Sequence, residues 1–216
     1  MFPNDYVMRQ IELLVWGLAK IMGLKQENRL EEAVDLYQAT LRKFFGLTEQ
    51  AVEELPWSDL MAVASLGGLP DYERCALLAQ LIAEKADVGR LRGADESALY
   101  LKALCISLVA VDQSEQLQGA EHARWIDEWL SLLGRVALPE GVLGAAFRHF
   151  WRTGQYARAE DVLYEMLDAG LPGSGDEGVA FYQALLAMPD QALALGGLPR
   201  EEALDGLDSL KKRISR

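Results

Sequence analysis

The sequence predicts an all-α fold of stacked antiparallel helical hairpins. Apolar residues recur at steps of three and four along almost every segment, and the strict alternation of half-buried strands is almost absent. Glycine and proline mark the ends of these segments, and the connections between them are short, as antiparallel helix pairs require. With 216 residues, half of them apolar, the chain is long enough to bury a continuous core.

The starts and stops of the helices follow from residue types. Four residues of good N-cap type each precede a run of helix formers: Thr48, Ser58, Asp71 and Asp95. Three stretches combine a glycine that can end a helix with a proline that cannot continue it: 67–70, 170–172 and 196–199. The predicted helices are 5–24, 26–45, 48–55, 57–66, 71–87, 95–112, 115–135, 140–153, 155–169, 177–187 and 200–213.

Periodicity also predicts buried faces and boundaries. In the first helix the expected buried stripe consists of Ile11, Leu14, Val15, Leu18 and Met22. The sequence predicts a loop at residues 87–95, which is a candidate subdomain junction. It also predicts that residues 171–178 are the most flexible stretch. We therefore expect a helical-hairpin domain over residues 1–170, followed by a flexible loop and a C-terminal helical cap over 171–216 that packs on the same domain.

Two segments, residues 28–37 and 154–163, align with each other. Each opens on Asn or Gly and places a small Ala five residues later and a large residue four beyond that, Ala33 with Tyr37 and Ala159 with Leu163. A small residue where helices cross lets their axes approach closely, and large residues one turn away fill the remaining space. Both segments resemble the second helix of a tetratricopeptide repeat, which implies a right-handed solenoid of hairpins. The copies do not follow that repeat's period of about 34 residues, so the resemblance is to hairpin packing.

A second resemblance covers the whole chain. The stretches Phe44–Leu47, Lys85–Asp87 and Leu99–Leu104 are similar to those of a family of uncharacterised bacterial proteins with tetratricopeptide-like helices. This resemblance implies a fold and no catalytic residue, because fold alone does not carry a function.

Charge and hydropathy narrow the classes of partner. The chain holds 21 Lys+Arg against 33 Asp+Glu, a net charge of −12, and its only basic cluster, Lys211–Arg213 with Arg216, lies where a helix end is predicted. The longest uncharged apolar stretch, residues 103–111, is less than half of the roughly 20 residues that a membrane span needs, and no secretory signal is recognisable. We expect a cytoplasmic protein that binds neither nucleic acid nor membrane.

The sequence predicts no catalytic residue, metal site or cofactor site. His122 and His149 lack Cys or His neighbours at ligand spacing, and we expect His122 on a solvated helix face and His149 in the core or an interface. Cys75 and Cys105 lie in apolar patterns that are typical of buried free thiols in a reducing compartment. The glycine pattern at 173–178 follows a predicted helix instead of the strand that dinucleotide binding requires. Carboxylates are expected on solvated faces, with none alone on an apolar face.

Aromatic and arginine side chains are the remaining candidates for a site. Trp125 and Trp129 are four residues apart and share a helix face, and a second group flanks the repeat-like turn near residue 154. These side chains either pack in the core or line a concave groove for an acidic peptide, since interfaces favour aromatic and arginine residues. The candidate groove residues are Arg124, Trp125, Trp129, Arg148, Trp151, Arg152, Tyr156 and Arg158.

The function predicted from these observations is that of a non-enzymatic scaffold for a protein or peptide partner. One alternative is a sensor of small molecules or peptides, or an enzyme, with a pocket between hairpins; a buried, unpaired Glu or His lining that pocket would favour it. Another alternative is a structural homodimer joined through the apolar tail after Gly178.

Overall fold

The computed structural model describes residues 3–65 and 69–215, with side chains from residue 9 onward. The described chain is all-α, as predicted, and forms two compact units, Met1–Val136 and Ala137–Arg216. A 3₁₀ turn over Glu115–Leu117 precedes the helix Ala120–Leu133. The helices are α1 (Pro3–Gln26), α2 (Leu30–Phe45), α3 (Glu49–Glu54), α4 (Trp57–Ala64), α5 (Tyr72–Leu91), α6 (Ser97–Gln113), α7 (Ala120–Leu133), α8 (Glu140–Arg152), α9 (Tyr156–Asp168), α10 (Ser174–Leu186), α11 (Asp190–Leu195) and α12 (Arg200–Ile214).

The α1/α2 and α8/α9 hairpins contain the two segments that align in sequence. Asn28 and Gly154 adopt positive φ angles of 58° and 75°. The residues that follow them have nearly equal backbone angles, φ −90° and ψ 61° at Arg29, and φ −91° and ψ 64° at Gln155. In both turns the backbone N–H of that following residue donates a hydrogen bond of 2.9 Å to a carbonyl group of the preceding helix. Antiparallel helix pairs, the coarser part of the fold prediction, are therefore confirmed.

Helix α5 is the centre of the first unit. It pairs with α6 and also packs against α1, α2 and α4. Its 20 residues include 11 that are buried, so it is enclosed on most sides and has no clean polar face. Arg74 near its start is buried and donates from Nε to the carbonyl of Ala64 at 2.9 Å and from Nη2 to that of Phe44 at 2.8 Å. These bonds satisfy carbonyl groups that the ends of α4 and α2 leave unpaired.

The second unit pairs α8 with α9 and α10 with α12, and α9 also contacts α10. Close approach of these helices depends on glycine. A Cβ atom at Gly178 on α10 would lie 2.8 Å from Leu210 and 2.9 Å from Leu163. A Cβ atom at Gly206 on α12 would lie 2.5 Å from the hydroxyl of Tyr182. The absence of a side chain at Gly206 leaves room for the ring of Tyr182 in the core of this unit.

The stretch predicted to be flexible, residues 171–178, is mostly helical. Gly173 with φ 80° makes the turn, and α10 begins at Ser174. Asp176 and Glu177 fall in the first turn of that helix, where negative charge is favourable. The glycines of this stretch therefore have structural roles instead of making it flexible. One of them forms the turn, and Gly178 lies against leucines of α9 and α12, where a small residue is needed.

Other boundaries differ from the sequence prediction as well. Helix α5 continues to Leu91, beyond the predicted end at residue 87, because Val88 and Gly89 are buried and belong to the core. The short helix α11 was not predicted. The division between units falls at residues 136 and 137, whereas the sequence placed its main boundary near residue 170. The predicted stop at Gly67 and Gly68 lies outside the described residues.

The predicted stripe of α1 is wrong in part. Leu14 and Leu18 are buried, as expected, but Val15 is 48% exposed and Met22 is 43% exposed. The buried face continues instead through Ile21 and Leu24. None of the helices in the described part of the chain is long and apolar enough to cross a membrane.

Candidate functional site

A cleft of about 190 Å³ lies in the first unit between α1, α5 and α7. Each helix contributes side chains three or four residues apart, because such residues share one face of a helix. The lining combines apolar, aromatic and charged groups, which is typical of binding sites. The lining residues are Leu18, Met22 and Lys25 of α1, Gln80, Ala83, Glu84 and Asp87 of α5, and Arg124, Trp125, Glu128 and Trp129 of α7.

Lys25 binds two carboxylates of α5 at the wall of this cleft. Its Nζ atom lies 2.7 Å from Oε2 of Glu84 and also donates to Asp87. Asp87 accepts a second hydrogen bond from the hydroxyl of Tyr100, and Arg90 donates to that hydroxyl at 3.3 Å. The network thus connects α1, α5 and α6 and fixes the Lys25 ammonium and the Asp87 carboxylate in place.

The protonation of this network follows from burial and pairing. Burial disfavours the charged form of Lys25, but the hydrogen bonds to Asp87 and Glu84 outweigh it, so the pKa of the ammonium is raised. Burial raises the pKa of the Glu84 carboxyl; Lys25 opposes this rise, and the negative charges of Asp87 and Glu128 add to it. Burial thus raises the pKa of Glu84, but Glu84 is not a carboxylate alone on an apolar face, because Gln80 and Asp87 line the same cleft from α5. Its pairing with Lys25 distinguishes it from an unpaired buried acid.

Helix α7 supplies the opposite wall. Trp125 is half-buried, Trp129 is only 6% exposed, and Arg124 is exposed. The ring of His122 stands edge-on to the indole of Trp125, with centroids 4.9 Å apart. His122, which the sequence places on a solvated helix face, is half-buried, and its burial lowers the pKa of the imidazole. Three of the eight candidate groove residues, Arg124, Trp125 and Trp129, thus lie together in one cleft.

The other five candidates belong to the α8/α9 hairpin of the second unit. Trp151 packs against the rings of Phe147 and Phe181, at centroid distances of 5.7 and 5.4 Å. Tyr156 is 7% exposed, and its hydroxyl lies 3.4 Å from the sulfur of Met188. These two aromatic residues therefore contribute to the packing of the second unit.

The three arginines of this hairpin differ in their surroundings. Arg148 forms an ion pair of 2.8 Å with Glu177. The guanidinium of Arg158 lies over the ring of Phe150 at 4.2 Å. Arg152 is exposed. The structure thus distributes the predicted groove residues over two units, and the α7 members line the cleft.

The two cysteines and His149 are buried. Cys75 and Cys105 are buried free thiols, as predicted, and burial raises the pKa of their thiols to about 11 and about 12. His149 is 2% exposed, as expected for a core histidine. Within the described residues, no group of three His, Cys, Asp or Glu side chains is placed to hold a metal ion.

Sequence reasoning missed the α1 and α5 walls of the cleft. Lys25 and Glu84 are 59 residues apart in the chain, and a motif with local spacing does not reveal such a pair. A weak signal exists, because Gln80, Glu84 and Asp87 recur at steps of four and three and so share one side of a helix that is mostly buried. Such a polar stripe on a central helix indicates either a partner side chain or a site.

Comparison with known proteins identifies a family for the chain. A family described as being of unknown function, DUF6483, matches residues 1–215. No curated protein and no solved structure matches the chain.

Proposed function

The chain belongs to this family of unknown function, and we propose that its first unit is a binding module, which holds a segment of a partner protein in the cleft between α1, α5 and α7. The observation that carries the proposal is the cleft itself, whose walls combine two tryptophans with charged groups. Tryptophan and arginine are the residues that contribute most often to protein interfaces. Three of the residues that the sequence singled out line this cleft.

The lining favours binding over catalysis. Glu84 has a raised pKa, but it is ion-paired with Lys25, and Lys25 also binds Asp87. A general acid or base must be free to exchange its proton with a substrate, and these groups are engaged with each other. The two thiols are buried and protonated at neutral pH, which makes them unsuitable as nucleophiles.

The fold supports the same proposal. The matching turns of the α1/α2 and α8/α9 hairpins support helical hairpins of the tetratricopeptide kind, a kind of hairpin that builds right-handed solenoids. Proteins of that architecture use grooves between helices to bind peptide segments.

The test uses a variant that fills the cleft. Ala83 lines the cleft with a small side chain on α5, so Ala83→Leu should occupy the space without removing any charged group. Ala62→Leu is the matched control, because Ala62 is exposed on α4 and is not among the lining residues. Circular dichroism of both variants checks that the helices are retained.

Peptides are selected from a random displayed library on the full chain, and their dissociation constants are measured by titration calorimetry. Selected peptides should bind the wild type and Ala62→Leu equally, and Ala83→Leu at least about tenfold more weakly. If no peptide is enriched, or if peptides bind folded Ala83→Leu as tightly as the wild type, the cleft is not the binding site.

A further inference from the structure

The charges that line the cleft are unevenly matched. Three carboxylates, Glu84, Asp87 and Glu128, face two cations, Lys25 and Arg124. Lys25 is committed to Glu84 and Asp87. Among the residues that the structure describes, no side chain forms an ion pair with Glu128. The negative charge of Glu128 instead acts on Glu84 as a like charge. A cation arriving at Glu128 would relieve this repulsion.

The aromatic wall favours the same kind of ligand. Trp125 and Trp129 lie on α7, on either side of Glu128, and line the same cleft. The face of an indole ring attracts a cation more strongly than that of any other aromatic side chain, and the attraction grows when water is excluded. Carboxylates next to tryptophans are the combination that recognises ammonium and guanidinium groups.

The size of the cleft limits how much of a partner it can hold. About 190 Å³ is smaller than the 300 Å³ or more of ordinary small-molecule pockets, so it suits a single side chain. Leu18 and Met22 provide an apolar wall for the methylene stem of a long side chain. Lysine and arginine have such a stem beneath a charged end.

We propose that the cleft receives the side chain of one lysine or arginine from the bound segment, with Glu128 pairing with its charge and Trp125 and Trp129 enclosing it. The inference rests on the proposed function and adds the chemistry of the ligand. It reverses the sign expected from the sequence, where arginines alone suggested an acidic peptide. An anionic group entering here would meet three carboxylates; of the two lining cations, Lys25 is already engaged with two of these carboxylates and Arg124 is exposed.

The test uses capped amino acids as probes: the Nα-acetyl N-methylamides of lysine, arginine, norleucine and glutamate. Binding is followed by NMR through the indole N–H signals of Trp125 and Trp129, assigned with Trp125→Phe and Trp129→Phe. The lysine and arginine probes should shift these signals with dissociation constants on the order of 1 mM. The norleucine and glutamate probes should bind at least about tenfold more weakly, and added salt should weaken the cationic probes.

Two variants test the role of Glu128. Glu128→Gln should weaken the cationic probes about fivefold or more, since the paired charge is lost while the shape is kept. Glu115→Gln removes the same charge from an exposed site outside the cleft and should leave binding unchanged.

The outcomes separate the two proposals. Equal affinity for norleucine and lysine, no shift with any cationic probe, or unaltered binding by Glu128→Gln overturns the inference. In those cases the binding-module proposal still stands if the library peptides bind the wild type and bind Ala83→Leu more weakly. If the library peptides bind folded Ala83→Leu as well as the wild type, the binding module fails together with the inference.

Discussion

Gly206 on α12 lies directly against the ring of Tyr182 on α10. A Cβ atom at position 206 would be 2.5 Å from the Tyr182 hydroxyl and 2.6 Å from its ring carbons, well inside contact distance. Tyr182 is fully buried and cannot move aside freely, because its hydroxyl also donates to Glu160 at 2.6 Å. Gly206→Ala should therefore destabilise the protein by about 1–3 kcal/mol, the usual cost of overpacking a core. Urea unfolding followed by circular dichroism measures this loss.

The matched control is Gly23→Ala. Gly23 lies inside α1, and a Cβ atom there would meet nothing within 4 Å. Alanine is the better helix former, so this change should raise stability by up to about 1 kcal/mol. If Gly206→Ala changes the free energy of unfolding as Gly23→Ala does, α12 does not approach Tyr182 as closely as the structure shows.

Glu160 should give the stability of the second unit a pH dependence. Burial raises the pKa of its carboxyl, the hydrogen bond from Tyr182 opposes this rise, and Asp161 and Glu202 add to it. A carboxyl with a raised pKa stabilises the fold fully below its ordinary pKa, and this contribution is lost as the pH rises through the raised value. Glu160→Gln can still accept from Tyr182 and does not ionise. The variant should therefore be more stable than the wild type at pH 7, by less than about 1 kcal/mol because the group is half-buried.

Unfolding measured from pH 4 to pH 7 checks this expectation. The difference in unfolding free energy between Glu160→Gln and the wild type should grow as the pH rises. Glu201→Gln, which removes an exposed charge from α12, is the control for net charge. A difference that is constant over this range would exclude ionisation of Glu160 as its cause.

Arg74 should be among the most sensitive charged residues of the first unit. Its guanidinium donates to the carbonyls of Ala64 and Phe44 and lies 5.2 Å from the ring of Phe45. Arg74→Met keeps the apolar stem but leaves both carbonyls without this donor, which should cost about 2–4 kcal/mol. Arg74→Lys retains one donor group and should lose less. Equal stability of Arg74→Met and the wild type in urea would show that water replaces the guanidinium.

The limits of prediction from sequence are clear in α1. Its apolar residues cover more than one face, so periodicity alone cannot identify the buried stripe. Packing against α2 and α5 decides the matter, and it buries Ile21 and Leu24 while Val15 and Met22 stay exposed. The all-α class and the hairpin turns were predictable because caps and turn residues act locally.

In the cleft, too, contacts within one helix could be predicted from the sequence, whereas contacts between helices could not. Trp125 and Trp129 could be recognised because one helical turn separates them. The pairing of Lys25 with Glu84 depends on how α1 packs against α5, and it is specified by the tertiary fold alone. The proposed positive charge of the ligand rests on the carboxylates that line the cleft, and the arginines by themselves did not reveal these carboxylates.

The α1/α2 and α8/α9 hairpins have equivalent turns, each with one residue in the left-handed conformation. Asn28, with φ 58°, is the one residue other than glycine with a positive φ in the described part of the chain, and Gly154 has φ 75° at the equivalent place. Alanine in this left-handed conformation costs about 1 kcal/mol or more, since its Cβ crowds the following carbonyl. Asn28→Ala and Gly154→Ala should each lose about that amount in urea unfolding, whereas Asn28→Gly should be as stable as the wild type. If Asn28→Ala matched Asn28→Gly, the left-handed turn would not be required, and the structural equivalence of the two hairpins would fail with it.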